Sequence, residues 1–177
     1  MKKIIIIFTI LVSTSFTSIS AQTTVPETNT NSIDTPFVGL WQWQNGNRTF
    51  QVDLFLNEEG KGIDGHFKML ETYANGLQIV IYKSKMDVGH GLTYGPAIYG
   101  SSDGTILEGA VDDNTVPNPS NYQVLWGSLK MEIVTTGNCI GCTTTATWKV
   151  KENQEGRFEG DNRTLNIPTD ITLTKVQ

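Results

Sequence analysis

The sequence predicts an all-β domain, an antiparallel meander closed into a barrel of about 8–10 strands. Three observations carry that expectation. Apolar and polar residues alternate in short runs, as in Trp41-Gln-Trp43, Phe50-Gln-Val52-Asp-Leu54 and Ala146-Thr-Trp148-Lys-Val150, and no stretch holds a 3.6-residue repeat. Turn residues punctuate these runs at Asn45-Gly46, Asn57 to Gly62 and Ser101 to Gly104. Closure into a barrel removes the unpaired edges that a chain of many short strands would otherwise carry.

The chain opens with what reads as a signal peptide over residues 1–21. Lys2 and Lys3 form its charged start, Ile4 to Val12 its apolar core, and Ser18 to Ala21 a small-residue cleavage site. The apolar run is too short for the ~20 residues of a membrane span, and no later stretch suits one. No Cys sits at the cleavage site, which argues against a lipid anchor. The expectation is an exported protein, periplasmic or extracellular. Residues 22–36 are rich in Thr, Asn, Ser and Pro and predict a disordered tether. The barrel domain is then expected over residues 37–177. The formal charge of −5 becomes more negative by two once a leader with two Lys and no acid is removed. Such a chain, with no basic run, is a poor partner for nucleic acid or for an anionic membrane surface.

Asn45-Gly46 favours a two-residue type I′ turn. It sets Trp41 opposite Phe50 and Trp43 opposite Arg48, with Trp41, Trp43, Phe50, Val52, Leu54 and Leu56 on one face. The return strand Ile63 to Met69 keeps that face by pairing Leu56 with Ile63, Leu54 with Gly65 and Val52 with Phe67. A one-residue slip would turn the apolar set to solvent, so the pattern specifies the register. Leu77 to Lys83 is the next strand. Met86 to Gly95 reads as a Gly-rich loop, and Pro96 to Tyr99 as a short edge strand. Thr105 to Val111 follows, then a long polar loop over Asp112 to Asn121. Tyr122 to Trp126 and Leu129 to Ile133 are separated by Gly127, read as a bulge. Ala146 to Val150, short pieces at Arg157 to Gly160 and Thr164 to Ile167, and Asp170 to Val176 complete the chain. A turn Gly leads to Ile63-Asp64-Gly65, Leu107-Glu108-Gly109 and Phe158-Glu159-Gly160, an echo in which Gly serves a bulge or close packing.

Few residues offer chemistry. The only two Cys, Cys139 and Cys142, flank Ile140-Gly141 between strands. Pairing Ile133 with Trp148 sets them opposite each other, so a structural disulfide at a hairpin tip is expected; redox activity would need a helix N-terminus to activate the thiol. Zinc would need four ligands, and the two His lie far off. Metal and cofactor sites are not expected. His66 falls on the polar face opposite Asp53, a surface cross-strand pair. His90 lies between two glycines in a loop with Asp87 and Tyr94. Asp112-Asp113-Asn114 supplies oxygen ligands without the ordered spacing of a calcium loop. Asn47 and Asn162 sit in glycosylation-type sequons that turns also explain. Trp41, Trp43 and Trp148 lie on apolar faces and predict core packing. The candidate ligand-binding residues are Trp126, His90, Tyr94 and Tyr99.

Gly39-Leu40-Trp41 at the head of the first strand resembles the G-x-W signature of calycins, the lipocalin and avidin group. The meander through Gly65-His-Phe67 is similar to the first meander of avidins over about thirty residues. The resemblance implies a calycin-like barrel in which a basic residue near the end of the last strand packs over the Trp and closes the base. Lys175 or Arg163 would cover Trp41 here, with Gly39 beside it; a solvated terminal Lys is the alternative. The residues that contact biotin in avidins and the Thr-Asp-Tyr motif of lipocalins have no counterpart, so no ligand residue is carried over. The whole chain also resembles an uncharacterised domain-of-unknown-function family of small secreted bacterial proteins.

Three functions remain. The leading expectation is a secreted, non-enzymatic barrel binding a small apolar ligand or a glycan. The second is a structural or adhesive surface module presenting loops 86–95 and 112–121. The third is a hydrolase using His90 and an Asp, for which the sequence identifies no partner.

Overall fold

Strand β1 (Gly39–Asn45), β2 (Arg48–Leu56) and β3 (Ile63–Thr72) form the first wall. A computed structural model describes residues 33–117, 124–134, 142–155, 157 and 159–176. The stretch expected to be a signal peptide, most of the expected tether, the expected strand start at Tyr122 and the Cys139 half of the expected Cys139–Cys142 pair lie outside the described residues. Leu56 pairs with Ile63, Leu54 with Gly65 and Val52 with Phe67, the pairs that the alternation implies. The β1–β2 turn differs from expectation. Asn45 pairs with Arg48, so Gly46-Asn47 form the loop, Trp41 faces Val52 and Trp43 faces Phe50. Gly46 has φ 59° while Asn47 has no positive φ. Placing the one left-handed residue at Gly costs nothing, whereas an Asn45-Gly46 type I′ turn would also force Asn45 there. The shift is two residues, so the faces are unchanged.

The rest of the meander is β4 (Gln78–Lys83), β5 (Asp87–Gly89), β6 (Leu92–Thr93), β7 (Ile98–Ser102), β8 (Ile106–Asp113), β9 (Leu125–Ile133), β10 (Thr145–Glu152) and β11 (Asp170–Lys175). Eight of them, β1, β2, β3, β7, β8, β9, β10 and β11, pair antiparallel in that order, and β11 returns to β1. The result is a closed eight-stranded antiparallel barrel. β3 divides one edge between two partners. Its start, Ile63 to Gly65, pairs with β7, and its end, Lys68 to Thr72, pairs with β4. An irregularity between Met69 and Leu70 lets β4 leave the barrel wall.

Several elements depart from the sequence reading. Ile98 to Ser102 is no edge strand, because it bridges β3 and β8. Residues 86–95 are not a plain loop: β5 and β6 form a ribbon, and His90 and Gly91 at its tip have φ 55° and 75°. Gly127 is not a bulge. β9 runs through it in regular register with Val111 on one side and Glu152 on the other. A Cβ there would meet the Val150 Cγ1 at 2.6 Å, so close packing explains the glycine. Met131, not Ile133, faces Trp148, again a two-residue shift that keeps the faces. Residues 157–160 and 164–167 form no strand among the described residues. In the Gly echo, Gly65 and Gly109 lie on β3 and β8 against neighbouring backbone, while Gly160 sits in a turn. Residues 33–36, assigned to the tether, pack onto the barrel: Asp34 is 3% exposed and its Oδ1 accepts the Ser102 N–H at 2.7 Å.

Inward residues of every barrel strand fill the interior. Trp41, Phe50, Val52, Leu54, Phe67, Ile98, Leu107, Val111, Met131, Trp148 and Leu173 are buried in one cluster. The Phe50 ring lies 6.1 Å from Phe67 and 6.0 Å from Trp148, centre to centre. The indole N–H groups of Trp41 and Trp148 donate to Phe37 O at 2.7 Å and Pro168 O at 2.9 Å. Their polar handles are satisfied, so both rings serve as core.

Candidate functional site

The outer face carries the chemistry, because strand alternation sends polar and aromatic residues outward wherever their neighbours point in. On β7, Ile98 is buried and Tyr99 faces out; on β8, Val111 is buried and Asp112 faces out. Asp112 is paired directly with Trp126 of β9. The Tyr99 hydroxyl donates to Asp112 Oδ1 at 3.1 Å. Tyr94, just past the ribbon, is near enough for the Asp112 charge to act on it. The structure thus gathers Tyr94, Tyr99 and Trp126 around one carboxylate. His90 is elsewhere, exposed at the ribbon tip.

The electrostatics follow from partial burial. Desolvation pushes the Asp112 carboxyl above the usual carboxylate range, against the hydrogen bond from Tyr99. The Tyr94 and Tyr99 phenols are pushed up first by burial and then by the Asp112 charge. Both phenols are thus held in their protonated, donating form beside a carboxyl group and an indole. Such an arrangement can stack on the apolar face of a sugar ring and exchange hydrogen bonds with its hydroxyls.

Asp113 belongs to the scaffold. It is 1% exposed. Its oxygens accept from the Thr115 N–H and hydroxyl and from the Asn166 and Ile167 N–H groups. That set latches the 113–115 turn to the segment before β11. Among the described residues no group of three or more His, Cys, Asp or Glu could hold a metal.

Beside this cluster runs a groove of about 580 Å³ between the outer face of β1 to β4 and the base of the ribbon. Phe55 and Tyr99 both flank Asp64 in register, so the two areas abut. Leu40 and Phe55 give the groove an apolar side; Gln51, Asp53, His66, Lys68, Lys83, Lys85, Asp87 and Thr93 give it a polar one. His66 faces Asp53 across the strands and its ring lies 5.9 Å from Phe55. Burial lowers the His66 pKa, Lys85 lowers it further, and Asp53 and Asp64 oppose them. Ser84 Oγ is 3.4 Å from His66 Nδ1. Ser84 is fully buried, however, and its Oγ accepts the Phe67 N–H at 2.9 Å. It cannot meet a substrate as a nucleophile.

At the barrel base, Trp41 pairs with Lys175 across β1 and β11. The Lys175 Nζ lies 5.4 Å from the Trp41 ring centre and donates to Pro36 O at 2.8 Å. Burial lowers its pKa. Gly39 has φ 122°, and a Cβ there would stand 3.3 Å from the Lys175 Cε. Both facts call for glycine two residues before the Trp. Arg163 is held by Asp161, with Nη2 to Oδ2 at 2.7 Å.

Sequence reasoning missed the groove residues Leu40, Gln51, Lys68, Lys83 and Lys85. The shared outward parity of Leu40, Gln51, Lys68 and Lys83 on four strands was available, but Lys85 lies past β4 and the fold-back of residues 84–97 has no periodic signature.

These features define an eight-stranded antiparallel β-barrel with a packed interior and its reactive groups outside. No helix among the described residues is long and apolar enough to cross a membrane. The chain belongs to a family of unknown function, DUF6705, whose model matches residues 1–176. Comparison with curated proteins and with solved structures found no match.

Proposed function

We propose that this chain is an exported, non-enzymatic barrel that binds a glycan on its outer face. The observation that carries the reading is the convergence of Tyr94, Tyr99 and Trp126 on Asp112 from separate elements. The filled interior supports an exterior site over an apolar ligand held within the barrel. Titrating the protein with a panel of neutral oligosaccharides, while following the Trp126 indole N–H by NMR, tests it. Binding should shift that signal and weaken about tenfold or more in Trp126→Ala. Glycan binding that leaves Trp126 untouched, or no binding across the panel and nothing co-purifying in native mass spectrometry, would reject it.

A second reading is an adhesive module presenting the ribbon. Val88 and Leu92 there are 56% and 63% exposed, an apolar tip for a surface contact. Val88→Ser with Leu92→Ser would abolish adhesion under that reading and leave glycan binding intact. Export and the Cys139–Cys142 staple belong to the same proposal. Quantitative labelling of both thiols in non-reduced exported protein would reject the staple.

A further inference from the structure

We propose that the groove between the outer face of β1 to β4 and the ribbon base is a binding site for a compact oxyanion, a carboxylate or sulfate, seated among Lys68, Lys83 and Lys85. The proposal stands apart from the glycan surface around Asp112 and does not depend on it.

The first argument is an uncompensated repulsion. Lys68 and Lys83 are directly opposite each other on β3 and β4, where like charges destabilise a sheet. On its other side Lys68 faces Gln51, which is neutral. β4 ends the sheet, so Lys83 has no further strand beside it. The barrel contains a second facing pair, Lys130 and Lys149. There each lysine also faces an acid: Lys130 faces Glu108 and Lys149 faces Asp170. The fold neutralises one pair within its own ladder and leaves the other facing a groove.

The second argument is convergence. Lys85, from the segment after β4, lines the same groove as Lys68 and Lys83, and none of the three forms an ion pair with a described residue. Two carboxylates also line it, and both have other work. Asp87 Oδ1 accepts the Gly89 N–H at 2.7 Å inside the ribbon. Asp53 sits across from His66, one step along the strands from the lysines. The register therefore sorts the groove, with Gln51, Lys68 and Lys83 in one row and Leu40, Asp53 and His66 in the next. The lysine row offers ammonium and amide donors for an oxyanion; the Leu40 and Phe55 side offers apolar contact for whatever carries it. Charge-assisted hydrogen bonds to carboxylate or sulfate oxygens need donors of this kind.

Sulfate, a uronate disaccharide and its neutral counterpart, titrated separately into the full chain, test this by calorimetry and by the NMR pH titration of His66. The charged groups facing His66 are Lys85, Asp53 and Asp64. An anion at the lysines should offset Lys85 and raise the His66 pKa, and the neutral sugar should leave it unmoved. Lys68→Gln and Lys83→Gln should each weaken anion binding about tenfold. Lys130→Gln, whose lysine is already matched by Glu108, should not. Uronate at least tenfold tighter than sulfate would identify a sugar acid as the source; equal affinities would identify a free oxyanion. The proposal is overturned if neither anion moves His66, or if Lys130→Gln weakens binding as much as Lys68→Gln. It also fails if the neutral disaccharide binds the groove as tightly as the uronate. A glycan that shifts Trp126 while every anion leaves His66 unmoved would sink this inference and spare the proposed function.

Discussion

The seam where β11 meets β1 and the overhang of β4 are built from the same strand geometry and spend it differently. At the seam Trp41 is fully buried, its indole N–H is bonded to Phe37 O, and the Lys175 ammonium lies over the ring while donating to Pro36 O. Both of these polar groups have a partner. β4 pairs only with the end of β3, and Ile79, Val80 and Ile81 are about two-fifths to one-half exposed. Closure is thus achieved by eight strands, and the ninth, with the ribbon that follows, is free to shape the outer surface. Stability should reside at the seam and in the interior, and recognition in the overhang and its groove.

The sharpest way to break this comparison is at the seam. Trp41→Ala should cost about 3–5 kcal/mol, the range for removing a buried aromatic, measured by denaturant unfolding. A loss near 1 kcal/mol would mean that the barrel base does not depend on this ring. Next comes Asp113, which holds the start of the long loop to the segment before β11. Asp113→Ala leaves the buried Ile167 N–H and the part-buried Thr115 and Asn166 N–H groups without their acceptor, and about 2–3 kcal/mol should go. Asp113→Asn keeps one acceptor oxygen and should lose less.

The faces of the barrel were legible in the sequence to a degree that the turns were not. Of three hairpin registers read from sequence, the one between β2 and β3 is as expected, and two are displaced by two residues, at Trp41 with Val52 and at Trp148 with Met131. The side-chain period is also two, so the displacement left every inward residue inward. Gly127 was misread because a glycine inside an alternating run signals either a bulge or a close approach, and only the neighbour, Val150, decides between them. The candidate site was half legible. Tyr94, Tyr99 and Trp126 stood out as aromatics beside loops. Asp112 was read with Asp113 as a possible ion loop, because nothing local says that alternation sends one out to Tyr99 and the other in to Asn166. Joining them required β7 to lie between β3 and β8, whereas the sequence suggested an edge strand.

Lys175 sharpens the comparison at smaller scale. Lys175→Met keeps the apolar stem and removes the ammonium, and should cost about 0.5–2 kcal/mol, the span of a cation–π contact. A neutral result would assign the closure to Trp41 and Gly39 alone. Asp161 offers a pH test at the same end of the chain. Hydrogen bonds from the Arg163 guanidinium, then from its N–H, hold this carboxyl down at about 2. A carboxyl depressed in the folded state adds stability that is complete above its unfolded value and lost as pH falls through about 2. Asp161→Asn should therefore flatten the acid limb of the Tm profile below roughly pH 4 and leave the neutral region little changed. An unaltered acid limb would show that the pair contributes nothing to folding.

The smallest effect is expected on β4. Val80 is 51% exposed and Ile79 39%, so each has already forgone much of the burial that makes an apolar side chain stabilising. Threonine keeps the β-branch that suits a strand. Ile79→Thr and Val80→Thr should each stay within about 0.5 kcal/mol of the parent by denaturant unfolding, as substitutions away from packed features do. The pairing with β3 rests on backbone groups from Gln78 to Lys83 and survives both changes. The matched control is Leu173→Thr on β11, at a fully buried position, where a buried hydroxyl adds its own desolvation cost to the lost contacts. The contrast between β4 and β11 is the quantity to measure. A β4 variant that loses as much as Leu173→Thr would show that β4 is covered in solution. In that event the overhang, like the seam, would be part of what holds the fold together.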